Sequence, residues 1–237
     1  MSKRETATLP INYAEELAKE AAEVSKRIAN PSGDRIRYNG SRGFTTPDGD
    51  EASALEVVIV DFTSVNMYYD GPYDRENIAA PACFAIGPEP STLIASSNSP
   101  DKQSDACASC PMNQFGSAAV GKGKACKNTR LVAVTPAHDI SKSSAIWIAS
   151  IPPASLKQFD GYVAGLASKH QTIPLGVVSE MYMDTASDYA SPRFKVVRPS
   201  TAEELADLFV LRKEAKQRLA AEPDVSTYQP PKKVGRR

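Results

Sequence analysis

The stretch ALEVVIVDFTSVNMYYD, residues 54–70, decides the fold. It is dense in β-branched and aromatic side chains, which suit a pleated strand better than a helix. It is also longer than an ordinary strand, so the reading is one extended strand that bends or carries a bulge. Outward from it, ACFAIG (82–87), TRLVAVT (129–135), AIWIAS (145–150), PLGVVSEMYM (174–183) and RFKVV (193–197) repeat the signature, each bounded by Gly, Pro or Ser. Strands mostly follow strands, which favours an antiparallel α+β or barrel architecture over an alternating parallel one.

Helices flank this block. Asn12 and Glu15 make a capping-box pattern, Leu17, Ala21, Val24 and Ile28 recur at helical spacing, and NPSGD ends the run, giving an N-terminal helix within 1–33. A second helix starts near Ser155, with Leu156, Phe159, Val163 and Leu166 on one face. A third opens at STAEEL and carries Leu205, Leu208, Phe209, Ala215 and Leu219 toward Pro223. The organisation read from this is a β domain over 34–199, interrupted by an insertion at about 88–128, then a C-terminal helix over 200–222. The last segment, 223–237, is Pro-rich and basic and reads as a disordered tail.

The 237 residues balance 28 Lys and Arg against 28 Asp and Glu, so any polyanion partner must be met by a local patch rather than by the whole-molecule field. The N-terminus has no signal-peptide core, and SSAIWIASIPPASL (143–156) is too short and too proline-broken to span a bilayer. The expectation is a soluble protein of the cytoplasm, without membrane contact, whose cysteines are reduced or metal-bound.

Three of the four cysteines fall in SDACASCPMNQFGSAAVGKGKACKNTR, residues 104–130. Cys107 and Cys110 have the C-x2-C spacing with which two thiolates chelate one ion. Cys126 follows and Cys83 precedes, completing four soft ligands for a closed tetrahedral zinc site. The insertion lacks a periodic apolar pattern, so a structural Zn2+ supplies the folding nucleus that a core of its own would not. Buried thiols without metal, an iron–sulfur cluster, and a dithiol redox pair at 107–110 remain alternatives, as does His138 or His170 in place of Cys83.

GSAAVGKG (116–123) begins like a phosphate loop and then fails, because Gly123 stands where a hydroxyl should meet magnesium. Its glycines fit a tightly turning basic loop. With two histidines far apart and no hydrolase motif, the chain is not expected to be an enzyme.

Lys122, Lys124, Lys127 and Arg130 fall within nine residues free of acid. Arg35 and Arg37 alternate with Ile36 and Tyr38, and Arg193 and Lys195 alternate with Phe194 and Val196, so burial of the apolar set turns the cations outward. By the same alternation, Ile146 and Ile148 in the core leave Trp147 on the other side. Tyr68, Tyr69 and Tyr73 cluster at the end of the long strand, and Phe115 lies in the insertion. Cations that follow a backbone and flat rings that stack on bases are the two parts of a single-strand nucleic-acid site.

The run CASCPMNQFGSAAVGKGKACKNTRLVAV, preceded by PACFAIG, resembles bacteriophage single-stranded-DNA-binding (helix-destabilising) proteins that insert a zinc subdomain into an OB-type fold. The resemblance covers about residues 54–150. It implies an α+β chain built on a mainly antiparallel OB-like β-barrel, with Cys83, Cys107, Cys110 and Cys126 as zinc ligands and the Lys122–Arg130 run beside the DNA. It also implies a largely sequence-independent role in phage replication and recombination, in the host cytoplasm. The chain departs from the family's three-cysteine, one-histidine ligand set and from its acidic tail. The competing expectation is a zinc-containing accessory factor of transcription or replication that acts by binding a phage or host polymerase.

Overall fold

The computed structural model describes Tyr13, Glu16, Leu17 and Glu20 and residues 34–71, 78–138 and 140–230. The chain divides into a unit 1–34 and a unit 35–237. In the first, the four described positions between 13 and 20 are helical and exposed, Leu17 among them. The rest of the helix expected over 12–29 lies outside the described residues.

The second unit is α+β, organised around the quoted stretch. Strand β4 (Ala54–Tyr68) is the central rail of a six-stranded antiparallel sheet. Along one edge it pairs with β6 (Lys127–Pro136) from Val57 to Met67. Its other edge is divided. The first part pairs with β8 (Val177–Met183) and the last part with β5 (Cys83–Gly87). Strand β7 (Trp147–Ile151) lies outside β6, and β9 (Pro192–Pro199) lies outside β8. Three short strands, β1 (Arg37–Tyr38), β2 (Phe44–Thr45) and β3 (Glu51–Ala52), form a separate small sheet. The segment leading into it runs beside β7, where the Ile36 N–H donates to the Ile148 carbonyl at 3.0 Å.

The expected bulge is present in β4. The register against β6 passes from Ile59 opposite Val134 to Asp61 opposite Ala133, leaving Val60 as the extra residue. The Asp61 carboxylate accepts from the Arg212 guanidinium of the C-terminal helix at 3.1 Å, so the bulge aims an acid at a cation and ties helix to sheet.

Among the described residues the strands do not close into a barrel: β7 and β9 end the sheet and do not pair with each other. The cause is legible in the burial. Val58, Val60, Leu131, Ala133, Ile146 and Ile148 form one core with Leu208, Leu211, Ala215 and Leu219 of the helix Ala202–Leu219. The alternate residues Val57, Ile59, Val132, Val134, Trp147, Ala149 and Ile151 form a second core with Phe159 of the helix Leu156–His170. A small barrel hides one set of alternating side chains in its interior. A sheet whose two faces are both apolar needs a covering layer on each. Full burial of a side chain such as Phe159 contributes about 1.5–3 kcal/mol.

The C-terminal helix begins with a complete capping box. The Glu204 N–H donates to Thr201 Oγ1, and the Thr201 N–H donates to the Glu204 carboxylate at 2.7 Å. Its core face is 208, 211, 215 and 219. Phe209, expected on that face, is 53% exposed, because it sits one residue, or about 100°, away from Leu208. Of the tail, residues 223–230 are described without regular secondary structure, with Tyr228 hydrogen-bonded to Asp70, and 231–237 lie outside the described residues. No helix among the described residues is long and apolar enough to cross a membrane.

Candidate functional site

The segment 88–126 leaves β5 and returns into β6, so both of its ends are fixed on strands that flank the last third of β4. Its apolar cluster is small, Leu93 and Cys107 with Ala85 of β5. Its fastening is largely polar. The Ser96 N–H donates to the Phe84 carbonyl at 2.8 Å, the Asp101 N–H to the Ala82 carbonyl at 2.8 Å, and the Cys107 N–H to the Leu93 carbonyl at 3.0 Å.

The four cysteines come together at the base of this segment. Cys83 opens β5 opposite Tyr68, Cys107 and Cys110 bracket a tight turn, and Cys126 immediately precedes β6. All four are buried, none forms a disulfide, and all line one cavity of about 10 Å3, room for a single water-sized body. Neither His138 nor His170 lines it. The surrounding backbone holds the turn: the Asn113 amide donates to the Cys107 carbonyl at 2.7 Å, and the Cys126 N–H to the Met112 carbonyl at 2.8 Å. As the side chains are oriented, no three His, Cys, Asp or Glu among the described residues are arranged to hold a metal ion. The thiols therefore share a cavity without forming a closed coordination sphere.

Burial pushes the Cys107 thiol above its ordinary range, with Cys83 and Cys110 adding to the shift and the Asn66 side chain opposing it. Cys126 is pushed up to about 12, by burial first and then by the other three cysteines, with Lys124 opposing. Cys107 and Cys126 resist ionising first because they are buried and then because neighbouring thiols would ionise beside them, and a divalent cation among them reverses that relation.

Beyond the turn Pro111–Asn113, the near-miss phosphate loop forms a tight tip. The Gly116 N–H, at a left-handed φ of 86°, is shared between the carbonyls of Lys122 at 3.1 Å and Gly123 at 2.9 Å. The tip presents Phe115, 83% exposed, and Val120, 90% exposed, together with exposed Lys122. Lys124 Nζ stands 5.2 Å from the Phe115 ring centroid and donates to Asn113 and Asn128 at 3.3 and 3.1 Å. Lys127 is exposed at the start of β6.

The other expected contact residues divide. Arg35 and Arg37 are exposed, with Ile36 buried between them as the alternation requires. Tyr69 is exposed, and Tyr68 is half-buried where it lines the cysteine cavity. Tyr73 lies outside the described residues. Arg130 belongs to the interior rather than to the basic surface: it is 8% exposed and pairs with Asp160 of the helix Leu156–His170 at 3.3 Å. Trp147 is a second correction. It is 9% exposed, because the face away from the isoleucines is itself covered by a helix. Arg193 pairs with Asp184 at 2.8 Å and Lys195 with Glu180 at 2.9 Å, so each cation already has a counter-ion.

Sequence reasoning passed over three asparagines. Asn113 and Asn128 receive Lys124, and Asn66 joins Asn128 to the cysteine cavity. A signal was there: Asn66 interrupts an apolar strand, a position strands disfavour unless the amide has work to do. Compared with family models, curated proteins and solved structures, the chain matches none.

Proposed function

We propose that the chain is a single-stranded-DNA-binding protein in which a structural zinc on Cys83, Cys107, Cys110 and Cys126 orders the 88–126 segment. The ordered segment presents Lys122, Lys124, Lys127 and Phe115 to the strand. The observation that carries this reading is the sharing of one buried cavity by all four thiols, directly beneath an exposed cationic and aromatic tip. Rotation of the side chains about the cavity brings the sulfurs onto one ion, and the thiol protons leave as it binds. The lysines contribute salt-sensitive phosphate contacts and Phe115 a stacking surface that accepts any base, which makes binding tolerant of sequence. Arg35, Arg37 and Tyr69 are further exposed candidates. Replication and recombination of a phage genome in the host cytoplasm is the setting that the sequence resemblance implies, and no catalytic step is part of this reading.

Titration of labelled oligo-dT against rising salt tests it. The account predicts binding that weakens as salt rises, and weakens further in Lys122→Ala/Lys124→Ala. Absent binding, or binding indifferent to salt, overturns it.

Val120 favours a second reading, since an apolar side chain 90% exposed at the tip suits a protein contact as well as a base. In that case the zinc segment grips a polymerase or another replication protein. Intact DNA binding with loss of a polymerase in pull-down by Val120→Asp supports this alternative.

A further inference from the structure

Beyond the helix Ala202–Leu219 the chain returns to the cysteine segment and fastens both to it and to the end of β4. The Glu222 carboxylate accepts from Ser96 Oγ and Asn98 Nδ2, both at 2.6 Å. Further on, the Tyr228 hydroxyl donates to Asp70 Oδ2 at 2.5 Å. Asp70 also takes a hydrogen bond from Tyr68, which pairs with Cys83 across β4 and β5 and lines the cavity shared by the four thiols. The bonds from Asn98 and Ser96 hold the Glu222 carboxyl below its ordinary range, and the bond to Asp70 pushes the Tyr228 phenol up to about 12. At neutral pH the acceptor is therefore ionised and the phenol keeps its proton, the state in which both contacts form.

We propose that residues 222–228 are a latch that positions the cysteine segment: Glu222 holds its turn at Ser96 and Asn98, Tyr228 holds the Asp70 and Tyr68 end of β4 beside Cys83, and together they keep the four thiols gathered. This rests on the zinc reading above for the ion that the thiols take, and on the two contacts for the latch itself. The segment is fixed at its ends by β5 and β6, and between them it has one small apolar cluster. A third tether shortens the free loop and so lowers the entropy lost when an ion orders it. The tether also reaches the ligands by a short path. The Ser96 N–H donates to the carbonyl of Phe84, the residue after Cys83, and the Asp101 N–H donates to the carbonyl of Ala82, the residue before it. Glu222 and Tyr228 are positioning residues in this account and touch no sulfur.

The test compares the full chain with Glu222→Ala/Tyr228→Phe by hydrogen exchange and by zinc release to a chromophoric chelator. Exchange is read in peptides that carry Ser96, Asp101 and Cys107, whose N–H groups donate to the Phe84, Ala82 and Leu93 carbonyls. In the double variant these amides exchange about three- to tenfold faster, as the loss of ordinary hydrogen bonds implies. Peptides of β8 and of the helix Leu156–His170 exchange as in the wild type, and zinc leaves faster by a similar factor. Wild-type exchange across 96–107 in the double variant overturns the latch. So does faster exchange throughout the chain, because the two contacts then serve global stability. Faster exchange confined to 96–107 with unchanged zinc release overturns the claim that the latch positions the thiols. A wild type that carries no zinc overturns the zinc reading alone, and the exchange comparison still decides whether the latch holds the segment.

Discussion

Asn128 donates from its side-chain amide to Asn66 Oδ1 at 2.7 Å, across the directly paired strands β6 and β4. This bond links the basic tip to the cysteine cavity. On one side Asn128 receives Lys124 Nζ at 3.1 Å. On the other, with its oxygen occupied, Asn66 has its amide hydrogens available for the Cys107 sulfur, the interaction that works against the raised thiol of Cys107. An N–H aimed at sulfur stabilises a thiolate, so the pair serves a metal-bound cysteine better than a free thiol.

Asn66→Ala therefore weakens zinc retention by roughly 10–100-fold, in line with the loss of other groups that support metal ligands. Competition with a chromophoric chelator measures it. A zinc affinity equal to that of the wild type contradicts the role given to Asn66.

The two aromatic side chains singled out in the sequence part company in solution. Phe115→Ala leaves thermal stability unchanged, since the ring is 83% exposed. It lowers oligo-dT affinity by about 1–3 kcal/mol if one base stacks there. Trp147, the single tryptophan, is buried in the sheet core and so emits at short wavelength, with no stacking quench on addition of DNA. Strong quenching of tryptophan emission by oligo-dT contradicts the placement of Trp147.

The C-terminal helix supplies a packing test. Leu208→Ala empties a fully buried site in the core beneath the helix and costs about 2–5 kcal/mol. Phe209→Ala removes a ring 53% exposed and costs far less, within about 1 kcal/mol. Urea unfolding of the two variants measures both, and the reverse order contradicts the helix register.

Acid stability has one identifiable contributor. The Arg198 guanidinium beside Glu204 holds its carboxyl down from an ordinary 4.5 to about 2, with the Thr201 N–H assisting. A carboxylate with a depressed folded value stabilises above its unfolded pKa. That stability is complete above about pH 4.5 and is lost as pH falls toward about 2. Urea midpoints of the wild type fall more steeply across this window than those of Glu204→Gln, and parallel profiles contradict the assignment.

The elements were more legible than their arrangement. The long strand with its bulge, the helix beginning after Ser155 and the Thr201 capping box follow from local chemistry, and each stands where residues 54–68, 156–170 and 201–219 put it. Strand propensity alone does not disclose the open sheet in EVVIVDF and RLVAV. Their unbroken apolar character signals burial on both faces, and with it helices on both sides and a buried Trp147. Arg130 with Asp160 and Tyr228 with Asp70 join residues distant in the chain, and nothing in their local sequence announces a partner. The cysteine spacing announced a cluster of thiols, and all four do line one buried cavity.

Metal analysis of the chain purified without chelator tests the central claim most directly. The account predicts about one zinc per chain, lost in Cys107→Ser/Cys110→Ser together with the ordered 88–126 segment and with oligo-dT binding. A wild type that carries no zinc, or a double variant that keeps its metal, contradicts it; iron with strong visible absorbance assigns the four sulfurs to a cluster instead.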